Sequence, residues 1–297
     1  MRVSTSYHQQ LGLTQILNQQ SKLSDTQLKL ASGKKYLTPS ENPQAAASLN
    51  DFNHRIKVYE QYQDNVGVVR QRLEHENSAV DSSIEIIQKV RELAVQGLND
   101  VNQGINRNQI AIEIIQLNKS LVDVANTQNP NGEYLFSGYA SDEPPFDNSY
   151  SYQGDDVRSL DIGSSRSMAD GDKGDEVFGD YDATAVVGSF DSVFQAIDQL
   201  VADLQANDPK SASLKDLDRA LERFSNTQVS IGARLNTLEE QENLNDQYIL
   251  DHKAIVSDLG DLDYAKAISD FNLQQTALQA AQQSFAKVKD LSLFNYL

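Results

Sequence analysis

The 297-residue sequence predicts a mainly α-helical protein in which long helices wrap around one another and a small β-rich domain is inserted between them. Three observations predict it. Apolar residues recur at an unbroken 3,4 spacing along two long segments. Proline and glycine clusters punctuate those segments. From roughly 138 to 188 the helical period vanishes and Gly, Ser, Asp and Pro dominate.

The first helix is predicted over roughly 5–32, with a seam of Leu13, Ile16, Gln20, Leu23, Gln27 and Leu30. Gly33 ends it, and Lys34 and Lys35 sit favourably at its C-terminal dipole. In "LASGKKYLTPSENPQAAA" the Gly-Lys pair is therefore a helix stop. A phosphate loop would need glycine five residues earlier, where Leu28 stands. Pro39 and Pro43 flank the next start, which Ser40 or Asn42 can cap. The second helix covers roughly 43–96. Its seam runs Leu49, Phe52, Ile56, Tyr59, Gln63, Val66, Arg70, Leu73, Asn77, Val80, Ile84, Ile87, Arg91 and Ala94. At 1.5 Å per residue it is about 80 Å long. A third helix over roughly 106–128 stops at the turn residues Asn129, Pro130, Asn131 and Gly132.

"EYLFS" then reads as a short strand, and "SYSYQG", "VRSLDIG" and "EVFGD" as the strands of the insert. "SVFQAIDQLVADL" is an amphipathic helix ended by "NDP". A long helix follows, with the seam Leu214, Leu217, Leu221, Phe224, Gln228, Ile231, Leu235, Leu238, Glu242, Asn245, Ile249, His252, Val256 and Leu259. Gly260 interrupts it. The last helix carries Ile268, Phe271, Gln275, Leu278, Gln282 and Phe285. The first and last seams read alike, so the two ends are natural partners. With glutamine at two of six positions each, such a pair gains little beyond the entropy of ordering it. The ends are expected to be loose alone and completed by neighbouring copies.

Net charge is −18, which opposes nucleic acid or an anionic membrane surface as partner. Residues 138–188 hold 12 acids and 3 bases, a net −9, so the acid concentrates in the middle. Cysteine is absent, which excludes disulfides and thiol chemistry. The start has no apolar h-region and no run of 18 apolar residues exists, so composition by itself suggests an acidic cytoplasmic protein. "DGDKGDE" comes nearest to a calcium loop, but Gly174 stands at position 5 and Asp175 where glycine is required. It reads as a solvated acidic turn. His8, His54, His75 and His252 form no ligand pattern, and no GxSxG elbow occurs. No catalytic, cofactor or metal site is expected, and the chain is not expected to be an enzyme.

"LASGKKYLTPSENPQAAAS", "NGEYLFSG" and "DLDYAKAISDFNLQQTALQAAQQSFAKVKDLSLFNYL" together resemble the flagellin superfamily, and within it the subunits that join hook to filament. The likeness covers roughly 1–140 and 210–297. Filament flagellin usually lacks the Thr38-Pro39-Ser40 run and ends in a different tail. The resemblance implies a long antiparallel helical rod in three parts. Residues 1–42 and 261–297 would form an inner coiled coil, 43–137 and 189–260 the rod, and 138–188 the acidic outer insert. It implies a structural role in the bacterial flagellum, export in an unfolded state, and a place outside the cell. The implied partners are copies of the chain in a ring, an adjacent hook-associated protein, filament flagellin and an export chaperone, with no nucleic acid and no membrane insertion. The expected assembly residues are Leu13, Ile16, Leu23 and Leu30, packing against Ile268, Phe271, Leu278 and Phe285 and against neighbouring subunits. Filament flagellin, or a cytoplasmic coiled-coil binding or sensor module, are the alternatives; an enzyme built on the acidic insert lacks ligand spacing.

Overall fold

A computed structural model describes residues 2–99 and 105–290. Among them the helices are α1 (Arg2–Ser32), α2 (Pro43–Leu98), α3 (Ile105–Ala125), α4 (Gly174–Phe178), α5 (Val193–Gln205), α6 (Ser213–Gly260) and α7 (Tyr264–Asp290). Strands β1 (Ser159–Gly163) and β2 (Arg166–Ala169) form an antiparallel hairpin. The chain gathers into two units, Met1–Val58 with Tyr248–Leu297 and Tyr59–Gln247.

The helix boundaries follow local chemistry. Gly33 takes φ 69°, and its N–H bonds back to the Lys29 carbonyl at 2.9 Å, a left-handed stop that suits glycine. Glu41 braces the turn that follows. It pairs with Lys29 at 2.7 Å and accepts from the Leu37 N–H at 3.0 Å. The Lys29 ammonium accordingly holds the Glu41 carboxyl below the usual range. Asn42, rather than Ser40, caps α2: its Oδ1 accepts from the Ala45 N–H at 3.1 Å, with Pro43 as the first helical residue. Asp263 caps α7 through the Lys266 N–H at 3.1 Å.

In the 59–247 unit the two long seams face inward. Along α6, Leu217, Phe224, Ile231, Leu238 and Asn245 are buried, and along α2, Val66, Leu73, Val80, Ile87 and Ala94. Arg91 is the exception on α2. It stays exposed and pairs with Asp218 at 2.6 Å. The seam residue Asn245 and Asn65, beside the α2 seam, bind the insert. Asn245 Nδ2 donates to the Ile162 carbonyl at 2.9 Å and to Gln63 Oε1 at 3.2 Å, while Asn65 Nδ2 donates to the Asp161 carbonyl at 2.7 Å. An irregularity in the hairpin register between Asp161 and Gly163 turns Ile162 into the core.

The insert holds less strand than its alternating pattern suggests. "VRSLDIG" supplies β1. "EYLFS" and "SYSYQG" contribute only isolated bridges, Gln128 to Tyr134 and Phe146 to Tyr152. "EVFGD" is mostly helix α4 instead. Its Phe178 explains the change: the ring stacks on Phe194 at 5.6 Å and meets Phe136 at 5.1 Å, Phe146 at 5.7 Å and Phe224 at 5.4 Å. Four partners, from the connection before the insert, the insert, α5 and α6, outweigh a local strand preference. The acidic turn also differs from expectation. Asp170 is not solvated but 2% exposed, paired with Arg158 at 2.6 Å and Arg72 at 3.2 Å. Arg72 also reaches Glu133 at 2.7 Å, and Arg234 pairs with Asp172. These carboxylates serve arginines, and among the described residues no group of three His, Cys, Asp or Glu is placed to hold a metal.

Phe178→Ala should destabilise the 59–247 unit by about 3–5 kcal/mol through the cavity left among four rings. Urea unfolding checks it; an unchanged midpoint would contradict the shared core.

Candidate assembly interface

The described residues offer no catalytic constellation, and the surface that distinguishes the molecule is the terminal helix pair. α1 and α7 run antiparallel in the 1–58 and 248–297 unit. Gly12 lies against Phe285, Thr26 against Gln274, and Gly33 against Tyr264. Beyond the helix ends the strands of chain continue the pairing. Lys34 bridges Asp261, Lys35 N–H donates to the Gly260 carbonyl at 2.8 Å, and Leu262 N–H to the Gly33 carbonyl at 2.9 Å.

The seam consists of two heptad rows on each helix. On α1, Ile16, Leu23 and Leu30 are half-buried beside Gly12, Gln19, Thr26 and Gly33. On α7, Phe271, Leu278 and Phe285 are half-buried beside Ala267, Gln274 and Ala281. Of the eight residues expected at the assembly interface, six are half-buried between the helices, while Leu13 is 50% exposed and Ile268 51% exposed. The glutamines expected to dilute the seam, Gln20, Gln27, Gln275 and Gln282, also point outward.

The physical reason is close approach. A Cβ on Gly12 would stand 2.9 Å from the Phe285 ring, so glycine admits a side chain that leucine would exclude. The row Gly12, Gln19, Thr26 and Gly33, small or polar throughout, recurs every seven residues in the sequence, as does Ala267, Gln274 and Ala281. That spacing was the available signal, masked by a preference for the larger Leu13 and Ile268 as seam members. Gln274 anchors the middle. Its Oε1 accepts from Thr26 Oγ1 at 2.9 Å, and its carbonyl accepts from Gln19 Nε2 at 3.4 Å.

Rotating the seam leaves a second apolar stripe uncovered. Leu13, Leu17 and Leu28 occupy one side of α1 at 50%, 56% and 53% exposure, and Leu273 on α7 is 70% exposed. Leu13 and Leu17 are one turn apart, and Leu28 follows about three turns later beyond Ser21 and Ser24. Among the described residues no helix is long and apolar enough to cross a membrane.

Comparison with known proteins supplies a context. A family model described as the bacterial flagellin N-terminal helical region matches residues 3–141, and one for the flagellin C-terminal helical region matches 214–297. The chain is 29% identical over 313 residues to flagellar hook-associated protein 3 of Escherichia coli K12, covering 99% of each. It is 25% identical to a flagellin of Listeria innocua, covering 88% of each. Among solved structures, flagellar hook associated protein-3 from Legionella pneumophila superposes with a TM-score of 0.61 at 20% identity, covering 71% of this chain and 98% of that one. That last likeness speaks to fold.

Gly12→Leu should force α1 and α7 apart and loosen the pair by more than about 1 kcal/mol, whereas Leu13→Ala should change it by less than about 0.5 kcal/mol. Amide exchange along both helices reads the two effects; equal loosening would place Leu13 in the seam after all.

Proposed function

The chain belongs to the bacterial flagellin family, and on that premise we propose that it is the structural subunit joining hook to filament, assembled through its terminal helices. The observation that carries the reading is the uncovered leucine stripe on a helix pair whose own seam is already filled. Leu13, Leu17 and Leu28 gain apolar burial only when another molecule covers them, and each leucine so covered is worth about 1.5–3 kcal/mol. Ile268 and Leu273 extend the same demand to α7.

Charge supports the arrangement. Residues 1–50 carry 5 bases and 2 acids, and 265–297 carry 3 bases and 2 acids, so the ends are close to neutral. Many copies around one axis would repel one another if each repeated a strong charge there. The acidic insert belongs on the outer surface, where charge maintains solubility. In this reading residues 1–42 and 261–297 form the inner layer and 43–137 with 189–260 the rod. The partners are further copies in a ring, an adjacent hook-associated protein, filament flagellin and an export chaperone. Its place is outside the cell, and its work is mechanical rather than catalytic. Near-complete coverage by hook-associated protein 3, against 88% by flagellin, favours the junction over the filament.

Replacing Leu13 and Leu17 together with Asp should leave the monomer melting temperature within about 2 °C, because both are exposed. It should abolish incorporation, read as loss of filaments and of swimming in cells that depend on this chain. Normal filaments on such cells would overturn the reading. A purified chain that polymerises without limit would instead favour filament flagellin.

A further inference from the structure

Glu76 lies in the middle of α2 and is 1% exposed, an unusual place for a carboxyl group. No arginine or lysine takes it up as an ion pair among the described residues, although Arg72 one turn earlier serves Glu133 and Asp170. Instead Glu76 Oε1 accepts the backbone N–H of Asp172 at 3.0 Å. Its Oε2 is buried with no hydrogen-bond partner. Gly171 is packed over it: a Cβ there would stand 3.6 Å from Oε2 and 3.4 Å from the Leu135 carbonyl. The Asp172 side chain also faces Glu76 and is itself gripped by Arg234 from α6, whose Nη1 donates to the Gly171 carbonyl at 3.2 Å.

Glu76 is closed to water and faces the carboxyl of Asp172, whose side chain is 23% exposed; two carboxyl groups so placed are not both ionised at low cost. One arginine balances one charge. A proton on Glu76 removes the second charge and gives Oε2 a donor in place of a lone acceptor. We propose that Glu76, Asp172 and Arg234 form a proton-dependent latch that fastens the Asp170–Phe178 stretch of the insert onto α2 and α6, closed while Glu76 keeps its proton and loosened when it is lost.

The charged surroundings are consistent with that division of roles. From the insert loop, Asp170 is paired with Arg158 and Arg72, and Lys173 turns outward to Asp156 at 2.6 Å. From the connection before the insert comes Glu133, held by Arg72. On α2 itself Arg72 and His75 are nearest in sequence, and from α6 the facing charge is Arg234. Burial, with the Asp172 charge second, pushes the Glu76 carboxyl well above the ordinary carboxylate range, against the partial opposition of Arg234. Because the folded state holds this proton more tightly than the unfolded chain, the contribution to stability is complete below the ordinary glutamate value of about 4.3. It declines as pH rises from there toward the folded value.

The test compares the full chain with Glu76→Gln, which keeps the shape and is neutral at every pH. Melting temperature is followed between pH 5 and 9, about the range in which other carboxylates are already ionised. The latch requires the advantage of Glu76→Gln over the parent to grow by several degrees as pH rises, with protease cleavage at Asp170–Phe178 appearing earlier in the parent. A constant difference across the range overturns it. Carboxyl 13C titration of the unsubstituted chain gives an answer even if the variant folds poorly. One glutamate titrating well above about 4.3, at a midpoint that moves in Asp172→Asn, supports the latch, and a set in which every glutamate titrates near the ordinary value overturns it.

Discussion

Close approach between α1 and α7 is the constraint on which the terminal unit depends. Gly12 must be small for the Phe285 ring to lie against its backbone, and at Gly33 a Cβ would stand 2.9 Å from the Tyr264 hydroxyl. A seam that alternates large and small side chains is filled by contact but buries modest apolar area. It consequently specifies which faces meet without making the pair strongly stable. The same rotation that brings the small rows inward turns Leu13, Leu17 and Leu28 outward. The intramolecular seam and the uncovered stripe are thus two results of one geometric choice.

The 59–247 unit follows a different rule. Its seams are dense with Leu, Ile, Val and Phe, and five phenylalanines from the connection before the insert, the insert, α5 and α6 close on one another at 5.1–5.7 Å. Polar groups within that core have assigned tasks. Asn245 in the core and Asn65 at its edge satisfy carbonyls of the hairpin, and Arg72 from α2 and Arg234 from α6 pair with the buried Asp170 and the partly exposed Asp172 of the turn. One seam position that looks, in sequence, like a flaw in a heptad, Asn245, helps to hold the insert. Breaking one partner of such a network costs more than the pair contributed, because it leaves a buried charge alone. A chain built in this way combines a densely packed 59–247 unit with terminal helices that leave leucines uncovered.

The sequence by itself determined the helices, their long seams and the stop at Gly33, because these rest on local chemistry: period, capping and the left-handed turn. Ile16, Leu23, Leu30, Phe271, Leu278 and Phe285, which its periodicity put on the apolar side of each helix, are half-buried in the structure. Tertiary structure alone decided the companion row, the burial of Asp170 and the conversion of "EVFGD" from strand to helix. Each of these turns on a partner distant in sequence: Phe285 for Gly12, Arg72 for Asp170, Phe194 for Phe178. Periodicity records which side of a helix is apolar, but how near a neighbour can come, and which charge waits across the gap, are properties of two segments at once.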